Sequence, residues 1–138
     1  MNCDVAGRTP AEAMLAVLNA LPDLTDFGFG VYEPRRMTVK QIADRMIDDR
    51  AKMLDERSLN QFQKCREWLR PRRRKTINSA GTSYGLKHIA QNDIGYSTNG
   101  VFIAAAVAEG FAFQRITGGS PNAFLSVSSK SWNHKLSR

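Results

Sequence analysis

The stretch Asn99-Gly-Val-Phe-Ile-Ala-Ala-Ala-Val-Ala-Glu109, followed by Gly110, decides how this chain folds. It predicts a helix over 100–109, with Asn99 able to cap its start and Gly110 placed for the left-handed turn that ends a helix. Such a helix is apolar on nearly every side, which makes it a buried helix rather than a surface one. Its unbroken apolar run, 101–108, is far too short to cross a bilayer.

Working outward, Ser83 can cap a short helix over 84–92, and the turn Asp93-Ile-Gly-Tyr-Ser-Thr98 leads into the apolar helix. Downstream, Phe111-Ala-Phe-Gln-Arg-Ile116 alternates as a strand does. Gly118-Gly-Ser-Pro121 turns the chain, and Ala123-Phe-Leu-Ser-Val127 returns as a second strand. The order helix, turn, helix, hairpin resembles a winged helix-turn-helix, in which the second helix reads base edges in the major groove. Here that helix has no arginine, lysine or glutamine to set on a base, and its one asparagine is spent at the cap. If the module meets nucleic acid, it does so with other residues, such as Lys87 and His88 on the preceding helix and Arg115 on the hairpin.

The N-terminal half reads as helical. Thr9-Pro-Ala-Glu12 is a capping box with proline at the first helical position, and Met14, Leu15, Leu18 and Leu21 follow on one face. Asp26-Phe-Gly-Phe-Gly-Val-Tyr-Glu33 suits a short strand or an extended loop. Thr38-Val-Lys-Gln41 and Ser58-Leu-Asn-Gln61 are two further capping boxes. Residues 39–70 are therefore either one long helix or two in tandem, and the break at Asp55-Glu-Arg-Ser58 favours two. Pro71 stops the helix.

The formal net charge is +7, and its distribution is uneven. Residues 1–63 carry −2, residues 64–75 carry +6 and residues 76–138 carry +3. A concentrated patch of this kind focuses potential toward a polyanion or an acidic protein face. Its centre is Arg70-Pro-Arg-Arg-Arg-Lys75, read as the start of a basic, then small-residue linker over 71–82. Arginine pairs bidentately with phosphate and carboxylate and stacks on bases. Arg70, Arg72, Arg73, Arg74 and Lys75 are thus the candidate contacts to nucleic acid or to a partner, with Lys87 and Arg115 assisting. The competing reading is a run of solvated charges that finishes a helix and keeps the chain soluble.

The expected architecture is α+β and mostly helical: a helical half over 1–70, the linker, a winged-helix-like helix-helix-hairpin module over 83–128, and a polar tail over 129–138 against which Trp132 could pack. Catalytic constellations are poor. Ser83 and His88 lack an oriented acid partner, and the histidines and the two cysteines, Cys3 and Cys65, form no zinc pattern. Asp44, Asp48 and Asp49 could hold Mg²⁺, but the interleaved Arg45, Arg50 and Lys52 favour a salt-bridged face. No catalytic residue, metal or cofactor is expected, and the two distant cysteines and the absence of a signal pattern suit a cytoplasmic, non-membrane protein.

Ser83-Tyr-Gly-Leu-Lys-His88, Asn99-Gly-Val-Phe-Ile-Ala-Ala-Ala105 with Gly110-Phe111, and Pro121-Asn-Ala-Phe124 form a pattern. It is similar to small, mostly uncharacterised accessory proteins carried by bacterial phages, plasmids and integrative elements. The resemblance covers residues 72–127 and assigns no residue a role. It implies a mobile-element accessory protein, and the basic segment adds binding to nucleic acid or a host nucleoprotein complex. The alternative is an anti-CRISPR-like inhibitor that docks on a defence effector; for it the aromatics Phe27, Phe29 and Tyr32, read from the sequence itself, are candidate anchors, with plain core packing as their competing reading.

Overall fold

The computed structural model describes residues 8–131. The expected Trp132 contact and most of the 129–138 tail lie outside them, as does Cys3; residues 129–131 form a single 3-10 turn. The fold is α+β, with five α-helices and two small antiparallel sheets among the described residues.

Helix α1 (Pro10–Ala20) starts at the Thr9–Glu12 capping box, with both reciprocal hydrogen bonds present. Two-residue strands β1 (Leu24–Thr25) and β2 (Gly28–Phe29) pair as a minimal hairpin in the region that alternates bulky and small residues. Helix α2 (Val39–Lys52) starts at the Thr38–Gln41 box. Helix α3 (Glu56–Leu69) follows in tandem, and its N-cap is Asp55 rather than Ser58. Ser58 instead donates its backbone N–H to the Asp55 carboxylate and its hydroxyl to the Lys52 carbonyl, which holds the two helices at their junction.

Strand β3 (Arg73–Asn78) comes next, then α4 (Ser83–Ile94), α5 (Asn99–Ala108), β4 (Phe113–Arg115) and β5 (Ala123–Val127). The caps of α4 and α5 are Thr82 and Thr98, one residue before the expected Ser83 and Asn99. A threonine hydroxyl caps as serine does. The shift releases both polar side chains for tertiary contacts.

The expected linker over 71–82 is corrected by the structure. After a 3-10 turn at Arg70–Arg72, the segment becomes an edge strand in a sheet ordered β3-β5-β4. Nor is there a hinge between two halves, because one core runs through both. Met14 and Val17 of α1, Phe62 and Leu69 of α3, and Leu125 of β5 join the same buried cluster as α5. In α5 nine of ten residues are buried. Helix α1 and the β1–β2 hairpin pack directly against α5.

That enclosure depends on Gly100. A Cβ there would stand 1.7 Å from the Thr25 carbonyl oxygen, and the Gly100 N–H donates to the Asp26 carbonyl at 3.0 Å. Gly85 of α4 differs: its nearest atom to a Cβ is Thr82 Oγ1, at 4.0 Å. Gly100→Ala should cost about 3 kcal/mol in urea unfolding, because backbone must move to admit one methyl. Gly85→Ala should be neutral or add about 0.5–1 kcal/mol through helix propensity.

Candidate functional site

The basic segment gathers at the C-terminal end of α5. Glu109, the C-cap, is nearly buried and accepts from Arg66 Nε at 2.8 Å and from Arg70 Nε at 2.9 Å. Arg70 Nη2 also reaches it at 3.1 Å. Arg73 donates to the Glu109 backbone carbonyl at 2.6 Å, and its guanidinium lies 4.3 Å from the Phe111 ring centroid. Cations at a helix C-terminus complement its dipole. The charges do finish a helix, then, but it is α5, far along the chain.

Burial raises the Glu109 carboxyl, yet hydrogen bonds from Arg70 and Arg66 outweigh it and hold the group below the ordinary glutamate value. Its contribution to stability is therefore present at neutral pH and lost as pH falls through that depressed value. Glu109→Gln leaves Arg66 buried without its counter-charge. It should cost about 3 kcal/mol at pH 7 in urea unfolding, with the gap to wild type narrowing in acid.

The rest of the segment is more ordered than a linker would be. Arg72 stacks 4.0 Å from the Trp68 centroid and donates to the Trp68 carbonyl. Arg74 folds onto its own strand, donating to Thr76 and to the Ile77 carbonyl. Pairing with β5 jumps from Arg73↔Val127 to Asn78↔Leu125, so the residues between bulge out of the ladder. Arg73, Arg74 and Lys75 are exposed there, and none pairs with a carboxylate among the described residues.

Two expected assistants lie elsewhere. Arg115 is ion-paired with Asp23 at 2.6 Å and sits 4.2 Å from the Phe29 ring centroid. Phe29 itself belongs to the core, so it is not a surface anchor. Lys87 is only 4% exposed, although the sequence reads as placing it on a polar surface. Its Nζ lies 5.3 Å from the Tyr84 centroid and 4.8 Å from that of Tyr96.

Lys87 lines a cleft of about 620 Å³ at the other end of α5. The three stretches that carry the resemblance meet at this cleft: Tyr84, Lys87 and His88 from α4, Asn99 from the start of α5, and Pro121 and Asn122 before β5. The buried Ser83 hydroxyl donates to Asn99 Oδ1 and accepts from the Ala123 N–H, both at 3.0 Å, so it is not poised as a nucleophile toward His88. Asn99 Nδ2 donates to the Phe27 carbonyl at 3.1 Å and to Asn122 Oδ1 at 3.0 Å. One buried amide thus ties α4, α5, the β1–β2 turn and the β4–β5 loop together.

Helix α2 supplies the facing wall with Arg45, Asp49 and Lys52. Asp49 is buried and pairs with Lys52 at 3.2 Å. Asp26 is held above the ordinary aspartate value, first by burial and then by the nearby Asp49 charge. Burial likewise pushes the Lys87 amine below the ordinary lysine value. No group of three metal-binding side chains forms among the described residues. The cleft was not legible from spacing, since its walls come from five separated segments. The only local signal was Tyr84, three residues before Lys87 on the same helix.

No protein-family model, curated protein or solved structure matches the chain significantly.

Proposed function

We propose that this is a non-enzymatic accessory protein of a mobile element that binds the phosphate backbone of nucleic acid through the β3 bulge. One observation carries the reading: Arg73, Arg74 and Lys75 stand exposed together without a carboxylate partner among the described residues. Arg72 and Arg73 are braced on Trp68 and Phe111, so less side-chain freedom is lost when a phosphate arrives. Arg70 plays a lesser part, because Glu109 already neutralises it. Lys87 and Arg115 are engaged elsewhere and leave the assignment.

A winged-helix-like arrangement is supported by the order α4–α5 followed by the β4–β5 hairpin, with β3 joined to β5. The cover on α5 argues against base-edge reading and for recognition of backbone and shape. A second reading, an inhibitor docking on a host nucleoprotein complex, is favoured by the exposed Tyr32 packed against Phe27.

Electrophoretic shifts with duplex and single-stranded probes across a salt series test the proposal. Affinity should fall steeply with salt, and Arg74→Gln with Lys75→Gln should reduce the slope of log K against log salt by about two. Unchanged affinity and slope in the double variant would overturn it. Recovery of a protein effector without nucleic acid would favour the inhibitor.

A further inference from the structure

A lysine ammonium removed from water requires an anion or a set of acceptors. Lys87 makes no hydrogen bond or ion pair among the described residues: two tyrosine rings flank its Nζ, and the titratable group that acts on it is the buried Cys65 thiol. It is more than nine-tenths buried, yet it lines an open cleft. Arg45 lines the same cleft from α2, also without an ion-pair partner among the described residues. The volume, about 620 Å³, is that of a small-molecule site. Beside the two cations stands an aromatic pair, Phe27 and Tyr32, with ring centroids 5.7 Å apart.

From this combination we propose that the cleft binds a nucleoside monophosphate, with Lys87 and Arg45 taking the phosphate and Tyr32 with Phe27 stacking on the base. A phosphate dianion supplies the acceptors that the two cations lack. A flat base covers ring surface that is otherwise wet, since Tyr32 is 55% exposed. Asn99 does not read the ligand directly. Its amide is already spent on Phe27, Asn122 and Ser83, and so fixes the floor on which the ring pair stands. Burial depresses the Lys87 amine, and the nearby Cys65 thiol opposes that in part. This site is distinct from the β3 bulge and does not depend on nucleic-acid binding there.

Isothermal titration with the four ribonucleoside 5′-monophosphates, the matching nucleosides and inorganic phosphate decides the matter. At least one monophosphate should bind, and its nucleoside and free phosphate should each bind about 10-fold or more weakly. Lys87→Met should weaken the monophosphate about 10-fold or more. Tyr32→Ala, at an exposed position that the fold does not need, should weaken it about 5-fold or more while leaving free phosphate unchanged. The Tyr32 variant carries the test if Lys87→Met fails to fold. Absence of binding by all four nucleotides at millimolar concentration would overturn the proposal. So would equal affinity for free phosphate, or affinity unchanged in the folded variants.

Discussion

Nine buried residues in a ten-residue helix impose a requirement that the rest of this molecule meets: α5 has to be covered on every side, and the polar groups at its two ends need partners. Helices α1, α3 and α4 and the β1–β2 hairpin supply most of the cover. At the start, Thr98 caps, Gly100 lets the Thr25–Asp26 backbone come close, and Asn99 stitches three neighbouring segments. At the end, Glu109 draws in Arg66 and Arg70, and its carbonyl holds Arg73. The basic segment and the cleft are therefore the two ends of one buried helix, each built from what that helix needed.

The two ends differ in how completely their charges are resolved. Around Glu109 one carboxylate serves two guanidiniums, and aromatic faces hold two more. The surplus positive charge passes outward to the bulge. At the cleft Asp49 and Lys52 satisfy each other, while Lys87 sits between aromatic rings without an ion pair among the described residues. No described helix is long and apolar enough to cross a membrane.

Local signals in the sequence were legible where a motif had a single reading. The boxes at Thr9 and Thr38 and the tandem break before α3 fall where the spacing puts them. Thr82 and Thr98 cap α4 and α5 in place of the expected Ser83 and Asn99, whose side chains are taken up by tertiary hydrogen bonds that no local pattern shows. The strand at 73–78 was masked by its own charges, because arginine and lysine suit a solvated linker as readily as an edge. Of the candidate site, the clustering of Arg72–Lys75 was visible. The partners of Arg66, Arg70 and Arg73 were not, since Glu109 lies at least 36 residues away. Lys87 was not legible as a buried residue because Tyr96, one of the two rings that flank it, reaches it only through the packing of the next turn.

The bulge in β3 has a bearing on the molecule's behaviour toward its own copies. Sheet edges with free backbone groups invite a further strand, and proteins deter that with irregular pairing and charge. Here the edge is both broken in register and lined with Arg73, Arg74 and Lys75. A second copy approaching edge to edge meets a non-matching ladder and a like charge at the same place. The same exposed residues thus oppose growth of the sheet at its β3 edge, and concentrated protein should stay dispersed for that reason.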